Sequence, residues 1–156
     1  MKNPISLLLQ IPVPWVFVLA YLVGVGLEYL WPLELHPEAP SKISIAGGVL
    51  FAIGAGIAGW AWVIFRRAGT TTVPGQPSLS LITRGPYRAS RNPMYVGLAL
   101  AYLGEAGMLR QVWPVLVLPL TMAYLNWMVI PVEEARLREV FQGRYDEYRA
   151  SVRRWI

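Results

Sequence analysis

From Ile43 to Phe65 the chain reads ISIAGGVLFAIGAGIAGWAWVIF, twenty-three residues without a charge. A helix of that length and composition matches the roughly 20 apolar residues needed to cross the hydrocarbon core of a bilayer. Three further runs repeat the pattern. Ile5 to Leu27 and Gln111 to Val132 carry no charged side chain, and Asn92 to Leu109 carries only Glu105. A chain of 156 residues cannot bury four such helices on every side within a soluble core. The expected fold is therefore all-α: an integral membrane helical bundle with four transmembrane helices, at about 11–33, 43–65, 92–109 and 112–132, in a single domain over 1–156. A cytoplasmic loop and an amphipathic C-terminal helix complete it.

Composition agrees. The chain is 55% hydrophobic and 15% charged, where a soluble domain carries about 25% charged residues. Basic residues crowd at Lys2, at Arg66, Arg67, Arg84, Arg88 and Arg91, and at Arg136, Arg138, Arg144, Arg149, Arg153 and Arg154; the remaining two loops hold only Lys42 and Arg110. Lys and Arg accumulate on the cytoplasmic side. Both termini and the middle loop are thus expected in the cytoplasm, in a multi-pass protein of a bacterial inner membrane. The basic surface fits an inner membrane face beside anionic headgroups, so no nucleic-acid partner is expected. Trp31 and Trp113 fall at the outer ends of spans one and four, where aromatic belts form. The first run lacks a small-residue cleavage site and reads as a retained span.

With no cysteine in the chain, disulfides, thiolate nucleophiles and cysteine zinc sites are excluded. The single histidine, His36, has no second imidazole with which to share a metal, so no metal is expected. In span two, Gly48, Ala52 and Gly56 stack at four-residue spacing, as do Ala55 and Gly59. Such stripes let helices approach closely in lipid. The short turn between Gly104 and Trp113 predicts a tight antiparallel hairpin of spans three and four. Thr70, Thr71, Thr72, Pro74, Gly75 and Pro77 exclude a regular helix across most of the middle loop. In the tail, 133–156, Leu137, Phe141, Tyr145, Tyr148, Val152 and Trp155 recur every three or four residues, one face of an amphipathic helix interrupted at Gly143.

The residues with chemistry lie on the cytoplasmic side. Pro93 suits the first position of span three, and Asn92 its N-cap. Amides at a helix start suit a carboxylate ligand, although a capped membrane helix accounts for the same residues equally well. Glu133 and Glu134 follow Pro131 where span four is expected to leave the bilayer. One of them complements the dipole of the tail helix. Two carboxylates at the boundary call for water or a cation, which an ammonium or sulfonium ligand would supply.

These segments resemble a known family. Leu81-Ile82-Thr83-Arg84-Gly85-Pro86-Tyr87 with Arg91-Asn92-Pro93-Met94-Tyr95-Val96-Gly97 is similar to its first motif. Glu133, Glu134, Leu137 and Phe141, then Tyr145, Tyr148 and Val152, are similar to its second. The family is that of the isoprenylcysteine carboxyl methyltransferases and related phospholipid methyltransferases, and the resemblance covers about 66–156. It implies an integral membrane methyltransferase with a site for S-adenosylmethionine under the tail, acting on a lipophilic small molecule or a lipid. By position, Leu79, Ser80, Leu81, Ile82 and Tyr87 would line the nucleoside. Asn92, Pro93, Met94 and Tyr95 would bind largely through backbone, and Glu133 would take the ammonium. Thr72 is a further, loosely aligned candidate. No residue stands out as a general base, although Tyr95 or Glu134 could serve, and the catalytic residues are left open. Many members have His at the position of Asn92. The isoprenylcysteine enzymes have an Arg at the position of Val129, which turns the expectation toward another lipophilic acceptor. Two alternatives are an NADPH-dependent membrane reductase of the sterol reductase type, which shares a similar cofactor region, and a non-catalytic scaffold.

Overall fold

The computed structural model describes residues 11–33, 40–68 and 80–156. Lys2, His36, Thr72 and Leu79 therefore lie outside the described residues, as does most of the Thr/Pro/Gly-rich part of the middle loop. Among the described residues every regular element is helical: α1 Val13–Leu30, α2 Pro40–Arg67, a 3₁₀ turn Gly85–Arg88, α3 Pro93–Leu109, α4 Trp113–Tyr124, a π-helical turn Leu125–Val129, α5 Ile130–Phe141 and α6 Gly143–Ser151. The all-helical expectation is met.

Three helices are long and apolar enough to cross a membrane: Val13–Leu30, Pro40–Arg67 and the continuous rod Trp113–Phe141. The expected third span, 92–109, is α3; its 17 residues make it shorter than those three.

Pairing differs from the predicted hairpin. α3 packs chiefly along α2, and α4 chiefly along α1; α3 and α4 touch over a shorter stretch although a tight turn joins them. Glycine explains the preference. A Cβ on Gly54 would lie 2.6 Å from Gly97 O, and one on Gly104 would lie 2.7 Å from Gly47 O. Gly47 and Gly54 are seven residues apart on α2, as are Gly97 and Gly104 on α3, so the two backbones meet twice along an antiparallel seam. Ala58 and Ala61 continue it. The stripe singled out in the sequence faces elsewhere: Gly56 and Gly59 have nothing within 4 Å, and Gly48 meets only Met108 Sδ at 3.9 Å. Gly104, expected in a turn, is inside the seam.

At one pole the α1–α4 pair is tied by side chains. Glu28, near the end of α1, accepts from the amides of Val112 and Trp113, each at 2.9 Å, and so caps the start of α4 from a different helix. The Trp113 indole donates to Trp31 O at 2.6 Å, and Tyr21 donates to Gln111 at 2.8 Å.

Pro131, where the last span is expected to leave the bilayer, does not break the helix but lies inside the rod. It has no N–H to give, and its ring crowds the preceding turn. The chain accommodates it with the π turn: Ile130 N–H reaches back to Leu125 O, and the helix runs on to Phe141. The tail expected to begin at Glu133 is thus an extension of the same rod. The break comes at Gln142, whose φ of 46° ends α5, close to the predicted interruption at Gly143.

Candidate active site

The two motif segments meet at the other pole, where α2 ends and α3 begins. In the first turn of α3, Tyr95 donates its hydroxyl to Glu133 Oε1 at 2.7 Å. Tyr87, on the 3₁₀ turn, is buried beside them. Burial, then Tyr148 and Glu133, push its hydroxyl well above the ordinary value, so it stays neutral. The Tyr148 hydroxyl, which burial holds at about 12, donates to Tyr87 O at 2.7 Å. α6 thereby covers the 3₁₀ turn.

The two adjacent glutamates have different surroundings. Glu134 Oε1 accepts from Arg91 Nη2 at 2.9 Å and from Arg154 Nε at 3.1 Å, and its Oε2 accepts from Arg154 Nη2 at 2.7 Å. Both oxygens are engaged by guanidinium groups, which makes Glu134 a poor proton acceptor. Glu133 uses one oxygen on Tyr95; its Oε2 accepts from no described residue. Successive residues on a helix point about 100° apart, so one carboxylate faces the tail and the other faces Tyr95.

The start of α3 is more occupied than the sequence suggested. Asn92 holds the N-cap position but makes no side-chain capping bond. Its Nδ2 donates to Arg154 O at 3.0 Å, and its amide donates to Ser90 Oγ at 3.0 Å. The Arg91 amide donates to Arg153 O at 2.9 Å, and the Tyr95 and Val96 amides return to Asn92 O at 3.1 Å. Pro93 has no N–H. Of the candidate backbone donors, the Met94 amide is the one without a partner among the described residues.

The remaining candidates divide. Ile82, Tyr87, Met94 and Tyr95 share one apolar cluster with Val129, Ile130 and Trp155. Pro93 is buried next to them and Leu81 is half-buried. Ser80 donates to Ala68 O at 3.1 Å, fixing the loop to the end of α2. Six residues that the sequence reading did not assign to the site shape it: Ser90, Arg91, Asn126, Tyr148, Arg154 and Trp155. Arg91 carried a signal as part of the first motif and Arg154 only as a topology marker, and no local spacing relates either to Glu134. Chemically, among the described residues the arrangement offers one carboxylate oxygen and one helix-start amide without a partner, and an apolar wall. That set suits a zwitterionic amino-acid group attached to an apolar or aromatic body.

The sequence model of the phospholipid methyltransferase family matches residues 43–144, well over half of the chain. The match runs from the apolar core of α2 through the first motif segment and the Glu133–Phe141 part of the second, to the start of α6. No curated protein and no solved structure matches the chain.

Proposed function

The chain belongs to the phospholipid methyltransferase family, and from that premise we propose that it is a membrane methyltransferase that uses S-adenosylmethionine and acts on a phospholipid or a similar lipophilic acceptor. The observation that carries this reading is the 2.7 Å bond between Tyr95 and Glu133. It joins the two motif segments, and the second oxygen of Glu133, Oε2, accepts from no described residue.

The residues fit the cofactor's amino-acid end. Glu133 Oε2 would meet the ammonium. The Met94 amide, at the positive end of α3, would meet the carboxylate. Ser80, Leu81, Ile82 and Tyr87 would line the nucleoside, a role the resemblance extends to Leu79. When bound, the cofactor supplies an electrophilic methyl on a sulfonium. The protein's part is to align that methyl with the acceptor and to keep water out. Val129, Ile130 and Trp155 provide the apolar shield. Val129, buried where the isoprenylcysteine enzymes have an Arg, offers nothing to a free carboxylate on the acceptor.

The distribution of arginines supports a cytoplasmic position for this pole and for both termini. With α3 as a short fourth crossing, the span number is even, as that placement requires. A bacterial inner membrane is the setting this reading assigns.

Calorimetric titration of the detergent-solubilised protein with S-adenosylhomocysteine, with NADPH as comparison, tests the reading. Micromolar binding of S-adenosylhomocysteine alone supports it. Binding of NADPH alone would move the protein to the reductases, and binding of neither would leave a scaffold. Glu133→Gln should weaken S-adenosylhomocysteine binding ten- to a hundred-fold, the value of roughly 1.5–3 kcal/mol for a charge-assisted bond. Unchanged affinity in that variant would sink the Glu133 assignment.

A further inference from the structure

The last residues of the chain, 152–156, follow α6 without regular structure. Val152 is extended at φ −127° and ψ 132°, and from there the strand of chain crosses the start of α3. One residue in it, Arg154, touches each of the three segments from which the candidate site is built. Its carbonyl accepts from Ser90 Oγ at 3.2 Å and Asn92 Nδ2 at 3.0 Å, before α3. Its guanidinium grips Glu134 with two nitrogens, at 2.7 and 3.1 Å, on α5. Its Nη1 reaches Asn126 O at 3.4 Å and Asn126 Oδ1 at 3.3 Å, in the π turn. Trp155 Nε1 joins it on Asn126 Oδ1 at 3.1 Å.

The contact with Asn126 has a cause in the sequence. In α-helical register Asn126 O would pair with Ile130 N–H, but that amide is taken by Leu125 O. In π register it would pair with residue 131, which is proline and has no N–H. The helix therefore leaves this carbonyl without a donor of its own, and Arg154 approaches it from outside. The π turn also sets the rotation of everything after it, since one extra residue in a turn shifts the following side chains by about 100°. Glu133 and Glu134 lie within the next turn of α5.

We infer that Arg154 is a positioning residue: by holding Ser90 and Asn92, the π turn at Asn126 and Glu134 together, it fixes Glu133 on α5 relative to the start of α3, where the Met94 amide lies. The inference rests on the reading that those two groups receive the cofactor's amino-acid end. Glu134 then serves as the handle by which α5 is held, and Glu133 as the group presented. Arg91 completes the grip from just before α3, with Nη2 on Glu134 and Nη1 on Val152 O at 2.9 Å.

The test combines S-adenosylhomocysteine titration with amide hydrogen exchange on the full-length protein in detergent. The variants are Arg154→Gln, Arg154→Lys and Asn126→Ala. Arg154→Gln should bind S-adenosylhomocysteine at least ten-fold more weakly. Its exchange should quicken in 90–96 and 125–134 and stay unchanged in α1 and in the α2 seam. Arg154→Lys should recover only part of the affinity, because an ammonium cannot make the paired contact of a guanidinium. Asn126→Ala leaves the grip on Glu134 intact and should give a smaller loss with quickened exchange centred on 125–130. Wild-type affinity in Arg154→Gln, full recovery in Arg154→Lys, or exchange loosened along the whole chain would each overturn the inference. If the wild type itself binds no S-adenosylhomocysteine, the cofactor reading fails. The three-segment exchange pattern then decides separately whether Arg154 holds the pole together.

Discussion

Two interfaces hold α3, and they work by opposite means. Along α2 it is held by the absence of side chains: Gly47 and Gly54 face Gly104 and Gly97, and the backbones approach until a single Cβ would not fit. At its start α3 is held by an abundance of side-chain bonds, from Arg91, Asn92 and Ser90 to Glu134 and the last residues of the chain. The first interface runs through the apolar part of the bundle, where lipid offers no hydrophobic drive and close packing supplies the attraction. The second stands at the pole, where the polar residues of the chain gather. The contrast assigns the seam to placing α3 and the junction to placing the groups on it.

Four substitutions break or sharpen that contrast, each measured as thermal stability in detergent. The largest loss is expected for Glu134→Gln, which leaves Arg91 and Arg154 without their carboxylate. The side chains involved are 10–30% exposed, so the loss should fall near about 3 kcal/mol, the lower end for a buried pair. A loss no larger than that of an exposed surface pair would remove the junction from the account. Gly54→Ala comes next, at roughly 1–3 kcal/mol for a forced separation of packed backbones. Tyr148→Phe removes one buried hydroxyl bond to Tyr87 O and should cost about 1 kcal/mol. Gly56→Ala, about 200° around the helix from Gly54 and open to its surroundings, should change stability by less than about 0.5 kcal/mol. The pair Gly54→Ala and Gly56→Ala is the sharpest of these comparisons. It applies the same chemical change two residues apart, and equal effects would show that the seam is not where the glycines place it.

The stripe at Gly48, Ala52 and Gly56 shows why the seam was not legible. Span two is so rich in small residues that several stripes satisfy the spacing, and only the partner helix selects among them. The selected stripe repeats every seven residues because Gly97 and Gly104 on α3 do so. The hairpin of α3 with α4 failed for the same reason: a short turn makes two helices neighbours in sequence, but the glycines let α2 approach α3 more closely.

That the two motif segments belong together was legible; which side chains hold which was not. The motif segments fell together as the resemblance implied, with Tyr95 and Glu133 in direct contact. The division of labour between Glu133 and Glu134 could not be read, because adjacent carboxylates look alike until their partners are known. Those partners, Arg91 and Arg154, lie 43 and 20 residues from Glu134.

The sequence by itself determined that this chain is helical and membrane-bound, where its helices fall, and which segments carry the methyltransferase motifs. These follow from runs of apolar residues and from local residue chemistry, which need no knowledge of neighbours. The tertiary structure alone decided which glycine stripe packs, that Pro131 is absorbed in a π turn instead of ending the rod, and that Arg91 and Arg154 hold Glu134 while Tyr95 bonds Glu133. Each of those outcomes depends on a partner distant in the chain, and a bond or a steric fit exists only once folding has brought the two together.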